Sequence, residues 1–115
     1  MARRRNARAW PANGTASGSA VPRRRGCVHG VEIDSESVLY DAANRRLHLL
    51  NWSASAVWWS IDGTTTADGL ADDLADSLGA AHQTLRDDVS GLLAMLASRQ
   101  LIEAAAPPDR RPTRA

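Results

Sequence analysis

The chain has 115 residues and a formal net charge of +1, a size that suits one small domain with flanking segments. Its single cysteine, Cys27, excludes an internal disulfide and a cysteine-rich zinc site. No apolar run approaches the roughly 20 residues of a membrane helix, and no apolar export segment follows the early arginines, so we expect a cytoplasmic protein without membrane contact.

Residues 1–25 and 104–115 are predicted to be disordered basic arms, because neither segment has periodic apolar residues. The first contains seven arginines and no acidic residue, and the second contains three arginines and one aspartate. The predicted folded part, 26–103, has four arginines and twelve acidic residues, a net charge of −8. The arms are either solvated or contact an acidic partner, nucleic acid or the domain itself.

Three short strands are predicted at the start of the folded part. Residues 28–33 alternate loosely and are rich in β-branched side chains, residues 37–41 form a second strand, and residues 46–50 form a third. The turn between the last two contains Asn44, a residue suited to a positive φ. Such short connections favour an antiparallel meander.

Three helices are predicted to follow the strands, and a short extended segment at 101–103 closes the core. Asn51 and Ser53 are candidate N-caps of the first helix, which ends before Gly63. Thr65 or Thr66 begins the second helix, and a capping-box pattern at residues 84–87 begins the third. The apolar stripes of the last two helices are Leu70, Leu74 and Leu78, and Leu85, Val89, Leu92, Leu93 and Leu96. This order of elements predicts an α+β fold with helices on one face of a small antiparallel sheet.

The tryptophans near the first helix divide between the core and the surface. Trp58 shares the apolar stripe with Ala54 and Ile61, so we predict that it is buried. Trp59 points about 100° away from it, either at the rim of the core or towards a partner. Trp52, at the junction of strand and helix, is equally open to both interpretations.

The sequence contains no set of residues that would carry out a reaction. The three histidines are scattered, and Cys27 with His29 lacks a third metal ligand nearby. Nucleophile-elbow and phosphate-loop patterns are missing from the sequence. We therefore predict no catalytic residue, no metal and no cofactor, and a protein that is not an enzyme.

Several short motifs follow one another in an order that is similar to a known family. They are Leu50-Asn51, Ala56-Val57-Trp58, Asp62-Gly63, Thr66 before Leu70 and Leu74, Asp88-Val89 with Leu92, Leu93 and Leu96, and Leu101-Ile102. Over residues 31–103 the chain resembles the PqqD family, named for the pyrroloquinoline quinone biosynthesis chaperone. The family is also called the RiPP recognition element, a module of natural product biosynthesis in ribosomal-peptide-modifying pathways.

This resemblance implies a winged-helix-like domain that acts as a peptide chaperone. The leader of a precursor peptide would add as an extra strand to the edge of the third strand, in a groove beside the third helix. The domain would present it to a modifying enzyme such as a radical SAM protein, a cyclase or a leader peptidase. By position, the peptide-binding residues would be Arg46, Leu47, His48, Leu49 and Leu50 on the strand and Arg86, Val89, Ser90, Leu93 and Ala97 on the helix.

A winged-helix DNA-binding protein with basic arms is the alternative. Its third helix would present Arg86, Arg99 and Gln100 to the duplex. Asp87 and Asp88 on the same helix, in an acidic core, oppose contact with phosphates.

Overall fold

The computed structural model describes Trp10 and residues 18–105. No helix within these residues is long and apolar enough to cross a membrane. The elements in chain order are β1 (Pro22–Arg24), β2 (Val28–Ile33), β3 (Glu36–Asp41), β4 (Arg46–Leu50), α1 (Trp52–Ser60), α2 (Ala67–Leu78), α3 (His82–Ser98) and β5 (Ile102–Ala104).

Strands β2, β3 and β4 form the predicted antiparallel meander, in that order. The β2–β3 turn has two residues, Asp34 and Ser35, with φ values of 51° and 69°. Positive φ at both positions is the type I′ geometry that matches the twist of a two-residue hairpin. Three helices follow the sheet, so the α+β architecture is confirmed.

The local sequence explains where α1 and α2 begin, but not where α3 begins. Asn51 caps α1 by accepting a hydrogen bond from the Ala54 N–H at 2.9 Å, and Thr66 caps α2 by accepting from the Gly69 N–H at 3.0 Å. The capping box predicted at residues 84–87 is wrong, because α3 begins after Ala81, which makes no side-chain cap bond. The first residue of α3, His82, instead contacts α2 through Asp72 and Asp76.

The domain extends beyond the expected 26–103, because β1 pairs antiparallel with β5, with Pro22 opposite Ala104. The Arg23 guanidinium also forms an ion pair with Glu103. The prediction that residues 1–25 and 104–115 are arms is therefore wrong for residues 18–25, 104 and 105. The remainder of both predicted arms lies outside the described residues, except Trp10, which packs against the core cluster.

The core lies between the inner face of the sheet and the three helices. Trp58 is 1% exposed, which confirms its predicted place, whereas Trp59 and Trp52 are exposed, at 41% and 61%. The apolar stripe of α2 fades along the helix, because Leu70 is buried and Leu78 is exposed. The largest buried apolar side chains are Trp58, Leu39, Leu50, Ile61, Leu93, Leu96 and Leu101.

Gly30 lies where β2 passes closest to α1. A Cβ at this position would stand 2.7 Å from Leu39 Cδ2, 3.2 Å from Trp59 Cζ2 and 3.3 Å from Trp58 Nε1. Two indoles can therefore pack under β2 only because this residue has no side chain.

The Gly30→Ala substitution is expected to lower the free energy of unfolding by about 1–3 kcal/mol, because the new methyl group overpacks the core. The matched control is Gly91→Ala, in the interior of α3, where an added Cβ meets nothing within 4 Å. That substitution should stabilise the protein by about 0.5–1 kcal/mol through helix propensity. Urea denaturation of both variants checks the pair, and equal stabilities would contradict the described packing.

A histidine joins the two long helices. His82 Nδ1 lies 3.0 Å from Asp72 Oδ1, and His82 Nε2 lies 2.9 Å from Asp76 Oδ1. Both ring nitrogens can donate to carboxylates only when the imidazole is protonated. The hydrogen bonds to Asp76 and then Asp72 accordingly raise the pKa of His82 above its ordinary value.

A raised folded-state pKa means that the His82 contribution to stability is complete below the unfolded-state pKa and is lost as pH rises through the folded-state pKa. His82→Gln should therefore be less stable than the wild type at about pH 5.5 and equally stable at about pH 9. Urea midpoints at the two pH values provide the measurement, and a pH-independent deficit in His82→Gln would disprove the charge-dependent link.

Candidate functional site

Strand β4 lies at one edge of the three-stranded sheet and pairs on one side with β3. Its other side has no partner strand among residues 18–105. An unpaired edge presents a row of free N–H and C=O groups, which is a template for another strand.

The hydrogen-bond alternation of β3 shows which residues of β4 present these free groups. The Ala42 N–H donates to the Cys27 carbonyl at 2.9 Å, immediately beyond the Val28–Asp41 pair. Val28 and Asp41 are therefore a non-hydrogen-bonded pair, and the even-numbered residues of β3 bond to β2. The two-residue turn that follows Ile33 agrees with this assignment, because it closes on a hydrogen-bonded pair.

The odd-numbered residues of β3 must then bond to β4. Their partners are Arg46, His48 and Leu50. The backbone groups of Leu47 and Leu49 consequently point away from β3, into the open edge. The edge offers two N–H donors and two C=O acceptors at alternate residues.

The side chains of β4 alternate between the two faces of the sheet. Leu50 is buried, and His48 is half-buried on the same inner face, opposite Leu39. His48 Nε2 is buried and has no hydrogen-bond partner in the described structure. Leu47 and Leu49 point outward and are 68% and 74% exposed.

A hydrogen bond joins the turn before β4 to the segment after α3. The Asn44 side-chain amide donates to Gln100 Oε1 at 3.1 Å, so the β3–β4 hairpin touches the residues that follow α3. Ser90 and Ala97 of α3 are half-buried, while Val89 and Leu93 are fully in the core.

One predicted helix residue faces a different neighbour. Arg86 binds Asp72 of α2 in a bidentate pair, with Nε to Oδ1 at 3.1 Å and NH2 to Oδ2 at 3.0 Å. Its pKa is raised by the same carboxylate. The Arg86 guanidinium therefore joins α2 to α3. Among the ten predicted site residues, Arg86 already has a carboxylate partner within the domain.

Asp41 orders the hairpin that leads into β4. Its carboxylate accepts from the Asn44 side-chain amide at 2.8 Å and from the backbone N–H groups of Ala43 and Asn44 at 3.0 and 3.2 Å. The hydrogen bond from the Asn44 side-chain amide is the main reason that the pKa of Asp41 lies below its ordinary value, although burial opposes the shift. Positive φ in this turn falls on Arg45, at 57°, and not on Asn44 as predicted.

The opposite edge of the sheet, on β2, is closed on its inner side. Trp59 Nε1 donates to Ser37 Oγ at 2.8 Å, and the Arg24 guanidinium lies over both indoles, 5.6 Å from Trp58 and 5.4 Å from Trp59. The space that a peptide side chain would need beneath β2 is therefore filled. Trp59 therefore lies at the rim of the core and is held there by a hydrogen bond. The sequence alone left its position open between the rim and a partner contact.

The outer face of the sheet is largely apolar. We call this surface the outer sheet face; its apolar residues are Val31, Ile33, Val38, Tyr40, Leu47 and Leu49, and His29 and Glu36 lie on it as well. Antiparallel sheets with one solvated face usually carry polar residues there. Alternation would have revealed this surface from the sequence, because apolar residues occupy both faces of the third strand.

Together these features define a class of protein: a small α+β domain whose sheet has an unpaired edge at β4 that is suited to strand addition. The family model described as "Coenzyme PQQ synthesis protein D (PqqD)" matches residues 36–102, more than half of the chain. The chain therefore belongs to the PqqD family, as its sequence motifs predicted.

Two solved structures are similar to this chain. One is the PqqD truncation of Methylobacterium extorquens PqqCD, described as a functional, stand-alone RiPP recognition element, with 29% identity, a TM-score of 0.65, and coverage of 76% of this chain and 93% of that one. The other is TbiB1 in complex with the TbiA(beta) leader peptide, with 21% identity, a TM-score of 0.65, and coverage of 74% of this chain and 99% of that one. The comparison with curated proteins gave no match.

Asp41→Ala is expected to destabilise the protein by about 1–3 kcal/mol, because it leaves the donors of the hairpin without their acceptor. The amides of Arg46, His48 and Leu50 should exchange with deuterium faster than in the wild type, since their bonds to β3 depend on this hairpin. The control is Asp73→Ala, which removes an exposed carboxylate from α2 and should leave β4 unchanged. Slow exchange at Leu47 and Leu49 in the wild type would contradict the assigned hydrogen-bond alternation.

Proposed function

We propose that this protein captures the leader of a ribosomally made precursor peptide by strand addition to β4 and presents it to a peptide-modifying enzyme. The observation that carries this proposal is the open edge at Leu47 and Leu49, on the strand whose hairpin is hydrogen-bonded to the segment after α3. Membership of the PqqD family and the similarity to a described RiPP recognition element support it.

Backbone pairing explains how one domain can hold an extended peptide with little demand on its sequence. Each free N–H and C=O of Leu47 and Leu49 can pair with the backbone of the incoming strand. The peptide residue that falls opposite His48 would face inward, towards α3. There the half-buried Ser90 and Ala97 are available for contact, while Leu50, Val89 and Leu93 support the groove from within the core.

The basic residues at one end of this groove suit a carboxylate of the peptide. Arg46 begins β4 and Arg45 immediately precedes it, Arg99 follows α3, and the Asn44–Gln100 bond brings the two segments together. The structure shows no ion pair for these three exposed arginines within residues 18–105. A guanidinium can bind a carboxylate in a bidentate manner, so local charge can favour an acidic residue even on an acidic domain.

The alternative of DNA binding gains no support from the described residues. Arg86 is paired with Asp72, and His82 lies between two aspartates. With Asp87 and Asp88 on the same helix, α3 would bring carboxylates rather than free cations to the phosphates.

The class of partner enzyme is also part of this proposal. A radical SAM protein, a cyclase or a leader peptidase would receive the peptide, and the domain itself would hold its substrate without reacting with it. We infer that this takes place in the cytoplasm, where the precursor is synthesised.

Leu49→Pro tests the proposed edge, because it removes an outward N–H without removing a bond to β3. With the leader of a precursor encoded beside this gene, calorimetry should show at least a roughly tenfold loss of affinity, since a peptide carbonyl is left unpaired.

The matched control is Glu32→Pro, which removes an outward N–H from the open edge of β2 by the same alternation. That variant should bind the leader as the wild type does, and circular dichroism confirms that both variants are folded. Unchanged affinity in folded Leu49→Pro would refute strand addition at β4, and a selective loss in Glu32→Pro would move the site to the other edge.

A further inference from the structure

The outer sheet face forms two rows that run across the strands. One row is Val31, Val38 and Leu49, which are directly opposite one another in register. The other is His29, Tyr40 and Leu47. Both rows reach the open edge of β4 and end there, on the two most exposed large apolar side chains in the described chain.

A second copy of this chain is too large a partner for this surface alone. Three strands of five or six residues span roughly 15 by 20 Å, or about 300 Å², at ordinary strand spacing and rise. A stable protein–protein interface needs about 800 Å² on each partner. The outer sheet face therefore suits a smaller occupant that is continuous with the sheet.

Strand addition at β4 supplies such an occupant. A peptide residue directly opposite Leu47 or Leu49 would exchange backbone hydrogen bonds with it, in an antiparallel arrangement, and would place its side chain on the same outer face. Directly opposite Cβ atoms lie about 4.5–5.5 Å apart, close enough for apolar side chains to cover each other. The residue between them would face inward, opposite His48.

We propose that the leader segment bound by this protein carries two large apolar residues separated by one position, and that their side chains cover Leu47 and Leu49 from the outer face. This inference depends on the proposed function and specifies its substrate class. The row that ends at Leu49 contains only aliphatic residues, so an aliphatic partner fits there. The row that ends at Leu47 contains Tyr40, so an aromatic partner fits there as well.

This arrangement separates two contributions to recognition. The backbone of the leader would bind the edge, and the inward residues would meet α3. The outward pair would extend both apolar rows by one strand and remove the exposed leucines from water. Specificity would therefore come from both faces of the added strand, and not from the groove alone.

The experiment is a selection from an mRNA-displayed library of short random peptides on the full-length chain. Three proteins are compared: the wild type, a Leu47→Thr/Leu49→Thr double variant, and a Leu78→Thr control. Threonine keeps the β propensity of the edge strand but removes apolar surface. Leu78, on α2, is 60% exposed, so the control removes a comparable exposed leucine away from the sheet.

Peptides selected on the wild type should be enriched in large apolar residues at positions i and i+2. The affinity of a selected peptide should fall about tenfold in the double variant and stay unchanged in Leu78→Thr, since two cross-strand pairs are lost. Selection on the double variant should lose the enrichment at i and i+2 while retaining the preference at the residue between them.

Three results would overturn the inference. If the selected peptides lose affinity for Leu49→Pro but carry no apolar residues at positions i and i+2, this inference is refuted and the proposed function stands. Peptides that bind equally well to Leu49→Pro would refute both. Self-association of the wild type in sedimentation equilibrium, abolished in the double variant, would show that a second copy covers the outer sheet face.

Discussion

The hydrogen-bond alternation of β3 is the constraint on which the candidate site depends. A backbone residue in a sheet turns both of its polar groups to the same side, so β3 commits alternate residues to β2 and to β4. Because the Ala42 N–H bonds to the Cys27 carbonyl, the even-numbered residues of β3 bond to β2 and the odd-numbered residues bond to β4. Leu47 and Leu49 are then left with free backbone groups and outward side chains, so the open edge of β4 and the exposure of these two leucines follow from the same alternation.

The two edges of the sheet differ in what lies beneath them. Under β2, the indoles of Trp58 and Trp59 fill the inner space, and Gly30 allows them to approach. Arg24 covers the same indoles, which links the β1–β5 pair to this edge. At β4, the link to the helices is the bond from Asn44, in the preceding turn, to Gln100, which follows α3. The two edges therefore present the same kind of unpaired backbone, but beneath β2 the inner space is filled by indole side chains.

Local patterns predicted the elements whose causes are local. The three strands of the meander, the caps at Asn51 and Thr66, and the burial of Trp58 depend on residues within a few positions of one another. The β1–β5 pair was missed because Pro22–Arg24 has no apolar periodicity, and its partner lies some eighty residues later. The start of α3 was misplaced because no side-chain cap bond marks it, and its first residue, His82, contacts α2 instead. The pairing of Arg86 with Asp72 was missed for a similar reason, since two helices must meet before either charge has a partner.

The sequence by itself determined the class of fold, the order of its elements and the strand that would lie at the edge. It did so because periodicity, caps and short turns act over a few residues, and because the family motifs occur in order along the chain. Only the tertiary structure decided which backbone groups of that strand are free, which tryptophans close the other edge, and which arginines remain unpaired. Those properties depend on contacts between residues that are distant in the chain, and a single sequence does not specify them until the chain has folded.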